Sequence, residues 1–147
     1  MSIDINHTIL ATREAHDSAL FLAEMLGVPP LRRWRLFCMA STANSVHIDY
    51  TDVGRAVVPQ HCEFPFVDTS IDALHDRLGK RSLHYSADPQ RRKPGMNYHD
   101  GGGGLYFNDL NGHLLKVIIR HCGSGGWSPR SAISENPSHT GPKFDET

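Results

Sequence analysis

Twice along this chain a β run carrying a histidine leads into an amphipathic helix that a glycine stops. That order restricts the fold more than any other feature of the sequence. Residues 3–10 (IDINHTIL) alternate, with Ile3, Ile5, His7 and Ile9 on one face, the period of a strand. Thr12 then offers an N-cap with Glu14 in the first turn. Ala15, Ala19, Leu22, Ala23 and Leu26 recur at helical spacing, and Gly27 supplies the stop. Two β runs follow, over 34–39 and 46–50, joined by the turn-like Ser41-Thr42-Ala43-Asn44.

From residue 59 the order returns. Residues 60–67 (QHCEFPFV) read as a strand with His61 on one face. Thr69 with Asp72 resembles a capping box, opening a helix of Ile71, Leu74 and Leu78 that Gly79 ends. His7 precedes its glycine by 20 residues and His61 by 18. The second unit draws its second strand from the short LHYSA at 83–87 and closes on a hairpin, 105–108 and 114–119, around Asp-Leu-Asn-Gly. The expectation is an α+β fold of two βαβββ modules, about 3–55 and 58–120, within one domain spanning 1–122. Residues 123–147, rich in Gly, Ser and Pro, read as a flexible tail or as an arm docking Trp127 on a neighbouring subunit.

Composition narrows the function classes. A formal net charge of -1 gives no bulk electrostatic support for nucleic-acid binding. The local basic cluster (Arg77, Lys80, Arg81, Arg91, Arg92, Lys93) reads as a solvated face, with an anionic-ligand contact as the alternative. Three cysteines without metal-type spacing point to a reduced compartment. The N-terminus lacks a basic region before an apolar run, and no apolar stretch reaches the roughly 18–20 residues of a membrane span. A cytoplasmic protein with no membrane partner is the expectation.

His7 and His61 hold equivalent places in the two modules. If the modules pair about a pseudo-twofold axis, their first strands lie side by side and both imidazoles point into one cavity. Two neutral imidazoles suit Zn, Fe, Ni, Co or Mn. A catalytic site of this kind needs a third protein group and an open position.

The runs NHTILATREAHDSALFLAEMLGVPP, HCEFPFVD and RKPGMNYHDGGGGLYFNDLNGHLLKVIIR resemble the vicinal oxygen chelate superfamily over about residues 3–120, and within it the glyoxalase/bleomycin-resistance branch. The resemblance implies paired βαβββ modules with a mixed sheet curled around a cavity, a homodimer, and a divalent metal chelating vicinal oxygens of a small-molecule substrate. It assigns metal ligands to His7 and His61, and it places the third ligand, a glutamate in similar members, at Lys116. An ammonium repels a cation, so three readings follow. In the first, the metal survives with Asp49 or Glu63 as third ligand, since Asp49 shares a face with His47 and Glu63 with His61. In the second, Lys116 replaces the metal charge and holds an enolate or oxyanion, or acts as a base or Schiff-base nucleophile. In the third, no chemistry occurs and an aromatic groove (Trp34, Phe37, Tyr50, Phe64, Tyr98, Tyr106) sequesters a small molecule.

Tyr106 matches a tyrosine near the metal in similar members. His99 precedes a glycine run that suits a lid, and that run lacks the setting of a phosphate loop. Lys116, Tyr106 and His99 are therefore the candidate catalytic residues. His113 reads as turn-associated, and His16, His75, His84, His121 and His139 as surface residues. The expectation is an enzyme with lyase, isomerase or dioxygenase chemistry through an enolate or oxyanion. The alternative is a non-catalytic, antibiotic-sequestering resistance protein.

Overall fold

Parallel strand pairs need a crossover between them, and α1 supplies one for the first sheet. The structure, a computed structural model, describes residues 3–29, 32–67, 71–98 and 103–120. Its elements run β1 (His7–Thr12), α1 (Ala15–Leu26), β2 (Arg32–Trp34), β3 (Phe37–Ser41), β4 (His47–Asp52), β5 (His61–Val67), α2 (Ile71–Lys80), β6 (Gly103–Asn108) and β7 (Leu114–Arg120). The first sheet has the order β1-β4-β3-β2 and the second β5-β7-β6. β1 lies parallel to β4 and β5 parallel to β7, so both sheets are mixed. This is the expected α+β fold of paired modules, with the sheets left unclosed.

Several local expectations need correcting. The first strand begins at His7, because its ladder to β4 starts there, and Ile3 and Ile5 are left exposed. Thr12 ends β1 and does not cap α1. The N-cap is Glu14, which makes no side-chain cap, and Asp52 of β4 instead accepts from the Ala15 N–H and the Thr12 hydroxyl. The run 34–39 is broken by a turn in which Arg35 takes φ 53°, giving β2 and β3. Gly79 lies inside α2; Ser82, at φ 52°, takes the left-handed role, and the Leu83 N–H closes on the Leu78 carbonyl. Gly27 does end α1, at φ 67°.

Among the described residues the second module lacks one strand. At 83–87 only Ser86 forms bridges, to Pro94 and Tyr106. The Asp88 carboxylate accepts from the Arg92 and Lys93 N–H groups and curls the following segment, so no extended partner is presented. The capping box at Thr69, the residues His99, Gly101 and Gly102, and the tail with Trp127 lie outside the described residues.

One buried cluster serves both modules. α1 lays Ala15, Ala19 and Leu22 on Leu10, Cys38, Ala40, Ile48 and Tyr50, while Phe21 meets Phe107 of β6 at 6.4 Å between ring centroids. Leu74 and Leu78 of α2 close the other side against Leu105, Leu115 and Val117. Arg81 pairs with Glu24 and lies over the Phe21 ring, joining the two helices at the surface.

β1 and β5 do not lie side by side as expected: among the described residues no ladder joins them. Their edges are linked by His113 instead. Its Nε2–H donates to the Ala11 carbonyl at 2.8 Å, and its Nδ1 accepts from the Gln60 N–H at 2.9 Å. The residue is fully buried. The turn it follows is held by Asp109, whose Oδ1 accepts from the N–H groups of Asn111 and His113.

Candidate functional site

Strand period decides which candidate side chains share a surface. Partners in a ladder face the same way, and their neighbours face the other. In the first sheet His7 pairs with His47 and Ile9 with Asp49; across the next ladder Asp49 meets Met39 and His47 meets Ser41. The alternate residues Leu10, Ile48, Tyr50, Cys38 and Ala40 enter the core. His7, His47 and Asp49 therefore lie together on the face turned away from α1. Asn6 Oδ1 accepts from His7 Nδ1 at 2.9 Å, and Ser41 Oγ bonds His47 Nδ1 at 2.8 Å. Each ring thus keeps Nε2 for another partner. Asp49 is buried, yet among the described residues its Oδ1 has no hydrogen-bond partner.

The second sheet repeats the arrangement. Glu63, Lys116 and Tyr106 form one row across its three strands, with His61 one step along β5 on the same face. Lys116 Nζ bonds Glu63 Oε2 at 2.7 Å and sits 5.6 Å from the Tyr106 ring centroid. The His61 and Tyr106 ring centroids are 6.1 Å apart. The lysine between Leu115 and Val117 is thus a paired ammonium on a face opposite those two core residues. Partial burial pulls its pKa down, but the hydrogen bond and charge of Glu63, with Tyr106 behind them, outweigh this and raise it above the ordinary lysine value. A charged ammonium is neither a base nor a Schiff-base nucleophile at neutral pH.

Within one chain the candidate residues form two clusters. His7 and Asp49 are on one sheet, and His61, Glu63, Tyr106 and Lys116 are on the other. Among the described residues no group of three His, Cys, Asp or Glu stands close enough to hold a metal ion. The orphaned Asp49 oxygen and the available Nε2 of His7 still fit a divalent cation, provided that further donors come from a second copy.

The proposed aromatic wall is divided by the same alternation. Tyr50 is fully buried in the core, where burial and then Asp109 raise its pKa, and Phe64 also faces inward. Trp34 stacks on Phe37 at 6.3 Å near the exposed β2–β3 turn. A cavity of about 610 Å³ opens between the sheets, lined by Ile5, Thr8, Ile48, Cys62, Phe64 and Phe66 among others. Of the candidate site residues that the structure describes, only Glu63 touches it. Burial, then Asp109, raises the Cys62 thiol, which makes it a poor nucleophile there. Sequence reasoning missed the structural work of His113 and the pairing of Glu63 with Lys116. The parity of Glu63 with His61 was the only available signal for the latter.

No family model matches the sequence, and no curated protein does. Solved structures do. The oxidase ChaP-H2 is 40% identical, with a TM-score of 0.79 over 86% of this chain and 100% of its own. The oxidase ChaP-H1 is 35% identical, with a TM-score of 0.79 over 81% and 97%. A glyoxylase/bleomycin resistance protein/dioxygenase domain from Frankia sp. EAN1pec, at 18% identity and TM-score 0.63 over 84% and 96%, shares the fold. The chain shares the fold of the glyoxalase/bleomycin resistance/dioxygenase proteins. Within that fold it belongs to the family of the oxidases ChaP-H1 and ChaP-H2.

Proposed function

We propose that the protein is a small-molecule enzyme of the vicinal oxygen chelate type, acting through an enolate or oxyanion as a homodimer in the cytoplasm. Of lyase, isomerase and dioxygenase chemistry, oxidation by dioxygen is favoured by 40% identity over the whole length of an oxidase. The observation that carries the reading is the Glu63–Lys116–Tyr106 row beside His61, on the face turned away from the core. Lys116 offers a fixed positive charge to an oxygen as its negative charge develops, and the Tyr106 hydroxyl can donate to or accept from the same group. Glu63 holds the ammonium in place. A divalent metal held by His7, His61 and a carboxylate would supply Lewis-acid polarisation of vicinal oxygens when bound. His99, which lies outside the described residues, is carried as a proposed catalytic residue beside the glycine run.

The test is oxygen uptake and product mass for a panel of catechols and enolisable 1,2-dicarbonyls. A substrate so found should be turned over about 10–100-fold more slowly by Lys116→Met, while Lys116→Arg keeps most of the activity. Absence of oxygen uptake together with unchanged compounds in the mass spectra would overturn the enzyme reading. The sequestering alternative is favoured by one observation, the largely apolar cavity between the sheets. Tight fluorescence-detected binding of a ligand recovered unaltered would support it.

The charge on Lys116 makes a prediction of its own. Because the folded pKa is raised, the pair with Glu63 contributes fully below the ordinary lysine value of about 10.4 and is lost only as pH climbs through the higher folded value. The Lys116 side-chain carbon resonances should therefore stay constant from pH 6 to about 9 and titrate with a midpoint above the ordinary lysine value. A midpoint below the ordinary lysine value would show an uncharged amine at work.

A further inference from the structure

We infer that Arg32, on the outer strand of the first sheet, binds a carboxylate of the substrate, and that Trp34 and Phe37 beside it stack on the substrate's ring. The substrate class is thus a planar aromatic acid. The inference deepens the function proposed above and rests on it for the pocket wall, the face of the first sheet that carries His7 and His47.

Register carries that face outward to β2, the edge strand. Asp49 is opposite Met39, and Met39 is opposite Arg32. Ladder partners share a face, so Arg32 points the same way as Asp49 and His47, away from α1. Trp34, two residues on and opposite Phe37, does so too. Arg33 is opposite Cys38, a core residue, and belongs to the other face. Two strand spacings, about 10 Å at the backbone, separate Asp49 from Arg32. A molecule whose reacting oxygens lie by the histidines can therefore carry an anionic group at the far end of a small ring system.

Charge and exposure define what this edge would take. Residues 25–48 contain three arginines and no acidic residue. Among the described residues no carboxylate stands within ion-pair distance of Arg32. Its planar fork matches a carboxylate with two parallel hydrogen bonds. Trp34 is 57% exposed, and its ring lies within 15° of parallel to that of Phe37. The Arg35 guanidinium, 5.0 Å from the Trp34 ring centroid, adds positive charge at the same end. An exposed aromatic pair beside an unmatched guanidinium is complementary to a ring bearing a negative charge. An arginine on an edge strand also deters pairing with other chains. Charge on either face serves that purpose, so Arg33 is the internal control.

The probes are 3,4-dihydroxycinnamate and 6,7-dihydroxy-2-naphthoate, each compared with its uncharged methyl ester by calorimetry at neutral pH. The chain has two tryptophans, Trp34 and Trp127, so a Trp127→Phe background makes Trp34 fluorescence report where the probe lies. The acids should quench Trp34 and bind about 10–100-fold more tightly than their esters. Arg32→Gln should remove that preference, Arg32→Lys keep part of it, and Arg33→Gln leave it whole. Trp34→Leu should weaken acid and ester alike, by about 3–10-fold.

No binding of either acid, equal affinity for acid and ester, equal losses in Arg32→Gln and Arg33→Gln, or acid binding without quenching of Trp34 would each overturn the assignment. Oxygen uptake, read on the same compounds, separates the two proposals. A preference for the acid without turnover upholds the role of Arg32 and counts against the enzyme reading. Turnover of acid and ester with the same KM does the reverse.

Discussion

Replacing His113 with alanine is expected to destabilise the chain by about 3–5 kcal/mol. Three losses add. The Gln60 N–H loses its acceptor, the Ala11 carbonyl loses its donor, and the fully buried ring leaves a void at the junction of the modules. Each buried group left unsatisfied costs about 1–3 kcal/mol, and the void adds to them. Glutamine carries both a donor and an acceptor on a flexible side chain, so His113→Gln should recover roughly half of the loss. Urea unfolding checks both variants. A midpoint in His113→Ala equal to the parent's would mean that the two edges are held together by packing alone.

The second large effect is at Phe107. Its ring is fully buried and meets Phe21 of α1 at 6.4 Å, with the planes tilted by 54°. Phe107→Ala should cost about 3–5 kcal/mol, and Phe107→Leu should cost less than half of that. A double-mutant cycle with Phe21→Leu should give a coupling of about 0.5–1.5 kcal/mol. Zero coupling would mean that the rings are neighbours without energetic contact. The residue one step back, Tyr106, faces the candidate site on the opposite side of the strand, so the two substitutions should separate cleanly. Phe107→Leu lowers stability and spares ligand binding, whereas Tyr106→Phe keeps the buried ring and weakens ligand binding.

Local signals in the sequence were enough for most elements. Gly27 ends α1 through a left-handed residue, because that conformation is open to glycine at little cost. Alternation in β7 announced a strand in which Lys116 stands on the opposite face from Leu115 and Val117. Elsewhere tertiary contacts overrode local preference. Asp52, 37 residues from Ala15, took the capping role that the sequence assigns to Thr12. Ser82 took the left-handed position that Gly79 offered, because α2 runs one residue past the glycine.

Alternation in a strand is a property of the chain itself, so the sequence alone determined the two-module α+β plan and the surfaces on which His7, His61 and Lys116 lie. Which residues meet across those surfaces depends on register, a relation between segments far apart in sequence. Register set Glu63 against Lys116 and left Asp49 Oδ1 without a hydrogen-bond partner among the described residues. It also depends on how the sheets are joined, and His113, whose sequence context gave no sign of it, performs that joining. A residue's own neighbours specify its direction, whereas its partners are chosen by the packing of the whole chain.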